Sequence, residues 1–340
     1  MGERGPMNAG SGPSIWWFAF GYFAAYVPYS AMTKALTGGR MVEARPVDGF
    51  ELLPITVATS LVGMVVFLSA MGWWKHAGHR RIGGVSLPWP GRYTFLSGLC
   101  TAAIIGTTTL AYTFEGVSIV FVMLLMRGGV LILAPIVDQL TGRSTRWFSW
   151  AALGLSLAAL FVAFSERGGF ALSVVAGVDI AVYLTGYFIR LQLMSRLAKS
   201  GTQDATLRYF VEEQMVASPA MLLALVLIAL LAPGAVGDSV RAGFTDLPGP
   251  VILPALLIGL CSQLTGIFGG LILLDRRENT FCVPVNRSSS ILAGVVASYV
   301  LAGWVGAELP SGQELIGAGL VIGAILFLTL PPLAERRRGG

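Results

Sequence analysis

Charge is scarce in this chain. Only 12% of its 340 residues are Asp, Glu, Lys or Arg, about half the share that a soluble domain carries, so an ordinary water-soluble globule is excluded. Cysteine and histidine are scarcer still, at three and two. Cys100, Cys261 and Cys282 all lie inside apolar runs and read as small buried hydrophobes, so there is no disulfide framework and no zinc-ligand spacing. His76 and His79 sit in a basic loop with no further ligands, which leaves nothing to build a metal site from. No cofactor is expected. There is no Asp-rich diphosphate motif and no paired His and acid within one apolar run, which argues against an intramembrane enzyme acting on lipid-linked substrates. The net charge of +5 is scattered through loops and makes no basic patch, so nucleic acid is not an expected partner. No polar segment is long enough to form a separate soluble domain.

What the chain has instead is apolar residue, 55% of the total with a mean hydropathy of +0.73, gathered in runs of about twenty. Such a run crosses a hydrocarbon core of ~30 Å at ~1.5 Å per helical residue. Ten segments qualify: 15–37, 51–74, 92–114, 117–138, 147–165, 172–195, 208–232, 251–274, 279–303 and 313–331. The first is followed by many more and has no small-residue cleavage site, so it reads as a membrane helix and not as a removable signal. With both termini placed in the cytoplasm, fifteen Lys and Arg fall on the inner side and five (Lys34, Arg40, Arg45, Arg167 and Arg241) on the outer side. The positive-inside rule favours that orientation, and the alternation supports the count of ten.

The chain also repeats itself. Gly98-Leu99-Cys100-Thr101 matches Gly259-Leu260-Cys261-Ser262, Met32-Thr33-Lys34 matches Met194-Ser195-Arg196, and Arg127 with its following apolar run matches Arg287 with Ser288-Ser289-Ser290-Ile291-Leu292. The offsets are 161, 162 and 160. Ordered matches at one offset imply two halves. Five spans per half turn the second half upside down, so the expected fold is an all-α membrane protein of ten transmembrane helices in two inverted five-helix repeats. The division is a tail at 1–14, a first repeat at 15–165, a second at 172–331 and a basic tail at 332–340. Inverted repeats place a substrate site near mid-membrane between the halves.

Three basic residues fall within these segments. Arg190 is near a cytoplasmic end and is read as snorkelling. Arg127 and Arg287 lie deep, where a central arginine costs at least ~2.5–3.5 kcal/mol on insertion scales and needs a partner or a wet cavity. Occupying equivalent places, both should approach the central axis, where two guanidiniums make a receptor for an anion. The plain alternative is pairing with a membrane acid such as Asp179, which is otherwise a proton carrier. Pro284 and Ser288–Ser290 flank Arg287 and suggest a polar, kinked lining, and Pro28, Pro54, Pro135, Pro219 and Pro254 kink five other segments. Tyr22, Tyr26 and Tyr29 share one face of the first helix, either for packing or for stacking on a ring-bearing ligand. Glu212 and Glu213 open the seventh segment, either as a solvated helix start or as a coupling or substrate site. Gly319, Gly323, Gly266, Gly269 and Gly270 read as packing faces.

With ten spans and inverted halves, the chain resembles the drug/metabolite transporter superfamily, and within it the nucleotide-sugar and triose-phosphate transporters. The resemblance rests on Arg127, on Asp138 eleven residues later, on the Gly142-Arg143 turn, on the Asn286-Arg287 pair and on the stretch 317–332. Arginine stands where the family has lysine at both basic positions, and Gly128 stands where asparagine is usual. Glu213-Gln214 before Pro219 replaces a pair of asparagines. The resemblance implies that Arg127 and Arg287 hold phosphate groups and that transport runs by exchange.

The expectation is thus an alternating-access transporter of a small anionic organic metabolite, such as a nucleotide sugar or another phosphorylated compound. Arg127, Arg287, Asn286, Ser288, Glu213, Gln214 and Tyr26 would line the substrate site, with Asp179 and Glu212 as coupling candidates and no metal. The alternatives are a proton-coupled exporter of amino acids or hydrophobic compounds, or a lipid flippase. The expected partners are the substrate and the lipid bilayer, with a homodimer left open, and the expected home is a bacterial inner membrane.

Overall fold

The computed structural model describes residues 15–41, 46–110, 119–165, 174–199, 202–306, 309 and 312–338. Among them are eleven α-helices: α1 (Ile15–Thr37), α2 (Gly49–Ala70), α3 (Arg92–Leu110), α4 (Ile119–Leu140), α5 (Trp147–Ser165), α6 (Val174–Leu197), α7 (Gln203–Leu231), α8 (Ala235–Thr245), α9 (Gly249–Leu273), α10 (Asn279–Val305) and α11 (Gly312–Arg338). Between α2 and α3 stand a short 3-10 turn, Trp73–His76, and two antiparallel strands, β1 (His79–Ile82) and β2 (Val85–Pro88).

Each of the ten apolar segments falls on one of the long helices, and α8 is the addition. The tail at 1–14 and the segment ends at 111–114, 117–118 and 172–173 lie outside the described residues. Two boundaries differ from expectation. The second segment stops at Ala70 because Gly72 turns left-handed (φ 61) after it. At the far end, α11 does not stop at 331 but runs on to Arg338.

Among the described residues four helices, α2, α7, α9 and α10, are long and apolar enough to cross a membrane. Their outer faces stay apolar, with Val62, Val66, Leu223, Leu230, Leu253 and Leu264 exposed. That is an exterior for lipid and not for water, and it marks an integral membrane protein. Inside the apolar helices, several hydroxyls bond back to their own turn. Thr59 donates to the Ile55 carbonyl at 2.7 Å and Ser289 to that of Val285 at 2.9 Å, which satisfies both groups without water. All six singled-out prolines lie within helices.

The helix contacts recur in pairs. Helix α1 packs on α9 and α10, as α6 packs on α3 and α4. Likewise α2 lies on α9, as α7 lies on α3, while α2 meets α7, α4 meets α10 and α5 meets α11. Two of the repeated glycines do one job at equivalent places. A Cβ on Gly98 would collide with Val216 of α7, and one on Gly259 would come within 2.7 Å of the Thr56 carbonyl oxygen of α2. The helices meet there backbone to backbone, which only glycine permits.

Candidate functional site

Where α1, α4, α6 and α10 converge, two arginines meet a group of tyrosines. Arg127, half-buried on α4, donates from Nη2 to the Tyr26 hydroxyl at 2.9 Å. Arg287, 7% exposed on α10, lies over the ring of Tyr187 of α6, 4.9 Å from its centroid. Tyr22 and Tyr183 each lie within electrostatic reach of both guanidiniums. The rings form two groups in tilted and edge-on contact. Tyr22 and Tyr26 are 5.6 Å apart, as are Tyr26 and Tyr29, and Tyr183 and Tyr187 are 4.8 Å apart.

The arginine chemistry is incomplete as it stands. Nε and Nη2 of Arg287 are buried without a hydrogen-bond partner, and so is Oγ of the neighbouring Ser288. A buried guanidinium presents donors in a fixed fork that suits a bidentate oxyanion. Among the described residues no carboxylate is paired with Arg287. Asn286 borders the same place, since a methyl on Gly269 would stand 3.2 Å from its Nδ2 and 2.9 Å from Tyr22. Gln214 is fringed by Gly270 and Phe210 at the α7–α9 contact. The structure therefore brings Arg127, Arg287, Tyr26 and Asn286 to one region, with Ser288 next to Arg287 in the chain and Gln214 beside Gly270.

The acids are placed elsewhere. Arg190 does not snorkel. It is 6% exposed and forms a two-pronged ion pair with Glu213, Nε to Oε1 at 2.8 Å and Nη2 to Oε2 at 2.9 Å. Ser97 and Thr101 of α3 also donate to Glu213, at 2.5 and 3.2 Å, and the Tyr209 hydroxyl donates to Ser97 at 2.6 Å. Glu213 thus ties α3, α6 and α7 together, its charge answered by a fork of matching geometry. Glu212 is no solvated helix start either: it is 1% exposed and accepts from the amides of Gly78 and Gly91, both at 2.8 Å, from Thr94 and from Arg208. Asp179 is 3% exposed, and neither of its oxygens has a hydrogen-bond partner, so it is not the counter-ion of either deep arginine.

A second polar cluster closes one end of the bundle. Asp138, fully buried at the end of α4, caps α10. It accepts from the amides of Asn279 and Thr280 at 2.8 and 2.7 Å and from both their side chains at the same distances. The negative carboxylate sits on the positive end of the helix. Beside it, Glu278 accepts two hydrogen bonds from Arg146, at 3.0 and 3.1 Å, and one from Ser149 at 2.7 Å. Burial favours its neutral form, but the bonds from Arg146, Ser149 and its own amide, with the Arg146 charge, prevail and hold its carboxyl below the usual glutamate range. His76 Nδ1 lies 3.6 Å from Oδ1 of the exposed Asp204, and no group of three metal-ligating side chains occurs among the described residues.

Tyr183 and Tyr187 were not singled out in the sequence, although a signal was there. They stand 161 residues after Tyr22 and Tyr26, the offset of the Gly98 and Gly259 motifs.

No protein-family model matches the chain, and no curated protein matches it. Among solved structures, one titled only as the crystal structure of a protein superposes with a TM-score of 0.58 at 17% identity, covering 96% of this chain and 99% of its own. At that identity the likeness speaks for a shared fold alone.

Proposed function

We propose that the protein is an alternating-access transporter of a small anionic organic metabolite, with Arg127 and Arg287 as its anion clamp. In this reading ten of the helices span the membrane as two inverted halves of the drug/metabolite transporter type. The exchange of packing partners between the halves supports that reading. So does the recurrence of one pairing, Arg127 with Tyr26 and Arg287 with Tyr187, at offsets of 160 and 161 residues.

The observation that carries the proposal is the buried Arg287, with two nitrogens unbonded and no acid beside it. A cation is expensive at such depth unless something else neutralises it for part of the cycle. An anionic substrate does so, and the flanking tyrosines offer flat faces to a ring-bearing ligand. Glu213 is withdrawn from the substrate set by its bond to Arg190, and Gln214 stays at the margin.

The test is a thermal-shift screen of the purified protein against nucleotide sugars, nucleoside monophosphates, sugar phosphates and amino acids, followed by uptake into liposomes. Phosphorylated compounds should stabilise the protein by mass action, and Arg127→Ala and Arg287→Ala should each abolish uptake of the compound that does so. Stabilisation by amino acids alone, or undiminished uptake by both variants, would reject the reading.

A further inference from the structure

The connection between α2 and α3 is built more firmly than a linker requires. Strands β1 and β2 pair Ile82 with Val85 across the two-residue turn Gly83-Gly84, whose φ values of +58 and +86 suit a type I′ hairpin. At the base, the Trp89 amide donates to the Gly78 carbonyl at 2.6 Å. Glu212 grips the amides of Gly78 and Gly91 with its two oxygens, so the hairpin is fastened to α7. Trp73 adds edge-on ring contacts to Phe67 and Phe210, at 5.2 and 5.8 Å.

This fixed hairpin has an exterior unsuited to water. Val85, Leu87 and Trp89 are 59%, 44% and 47% exposed, and as alternate residues they share one face. Arg80 pairs across from Leu87 and lies over the Trp89 ring, 5.5 Å from its centroid. His79, Arg81, Ser86 and Pro88 take the opposite face. Over 75–92 the chain carries Lys75, Arg80, Arg81 and Arg92, all exposed, and no acid. Tyr93 is exposed in the first turn of α3, which follows the hairpin.

We infer that the hairpin docks onto the anionic phospholipid headgroups of the bilayer around it, with Val85, Leu87 and Trp89 below the phosphates and the four cations among them. An apolar face rimmed by Lys and Arg, with tryptophan at the boundary, is the composition of an interfacial element. The charge is complementary to one surface only, that of a negatively charged leaflet. Glu212 is then a positioning residue that sets the attitude of the hairpin. This surface is separate from the Arg127–Arg287 centre and stands or falls independently of it.

The test places a single cysteine at Val85, Ser86 or Leu87 in the full chain, with the three native cysteines replaced by alanine, and attaches an environment-sensitive fluorophore. The protein is reconstituted in phosphatidylcholine vesicles with and without phosphatidylglycerol. In the anionic vesicles, probes at 85 and 87 should emit to the blue and be quenched several-fold more strongly by shallow lipid-borne nitroxide than the probe at 86. Joint Arg80→Gln and Arg81→Gln substitution should reduce that contrast at least twofold. Equal quenching at all three positions, water-like emission in both vesicle types, or contact independent of phosphatidylglycerol would each overturn the inference.

Discussion

The guanidinium of Arg287 sits 4.9 Å from the ring centroid of Tyr187, and among the described residues no carboxylate is paired with it. In the proposed clamp, a buried cation that lies over a π-face with two nitrogens unbonded costs stability until an anion binds. Arg287→Met should therefore stabilise the ligand-free protein and raise its unfolding temperature, since an apolar side chain carries no desolvation cost. The same variant should lose the ligand-induced shift entirely. Paired thermal unfolding with and without the stabilising compound checks both halves. A drop in the ligand-free temperature would mean that the charge is already engaged.

Arg190 and Glu213 make the opposite case, a buried pair with two short bonds and hydroxyls satisfying the remaining lone pairs. Glu213→Ala leaves Arg190 uncompensated in the α3–α6–α7 junction and should cost about 3–5 kcal/mol. Removing both charges, as Arg190→Met with Glu213→Leu, should recover most of that loss. Chemical unfolding of Arg190→Met, of Glu213→Leu and of the double variant measures the coupling. Additive losses would show that the pair does not act as a unit.

Gly98 and Gly259 should behave as twins. A methyl on either meets atoms of the facing helix, Val216 and the Glu213 carbonyl for the first and the Thr56 carbonyl and Thr59 for the second. Gly98→Ala and Gly259→Ala should each destabilise by about 1–3 kcal/mol through overpacking. Gly266 and Gly319 face open space, so alanine there should be neutral or slightly stabilising by helix propensity. A thermal-unfolding series of the four variants separates the two classes, and a harmless Gly259→Ala would break the equivalence of the two contacts.

The helices were legible because apolar runs of twenty leave little choice of structure, and α8 was missed because eleven amphipathic residues carry no such signature. Arg127, Arg287, Asn286 and Ser288 were legible as unusual residues in apolar surroundings. What the sequence could not tell was which acid goes with which base. Glu213 looked available until Arg190, twenty-three residues earlier, proved to be its partner, because that choice depends on how α6 and α7 lie against α3. Asp138 was noted for its spacing, while its work as a cap on a helix starting at residue 279 is a contact 141 residues away. The hairpin was read as a basic loop. Its signal in the sequence is the Gly83-Gly84 pair, which suits a two-residue turn, but the strands it joins are only four residues long and carry no sustained apolar alternation.

Glu278 gives the clearest dependence on pH. Its carboxyl is held below the usual glutamate range despite burial, by the bonds from Arg146 and Ser149. A group whose folded pKa is depressed favours the native state at pH values above its unfolded pKa. That contribution disappears as the pH falls from about 4.3, the free glutamate value, through the lower folded one. The unfolding temperature should therefore be insensitive to this group from pH 5 upward, within about a degree, and should decline below it. Glu278→Gln should start lower at neutral pH, because Arg146 loses its charged partner, and should decline less steeply on acidification. Thermal unfolding of both proteins across the acid range reads the difference, which should narrow as the pH falls. A difference that stays constant from neutral to acid pH would place the stabilisation in packing and not in the carboxylate charge.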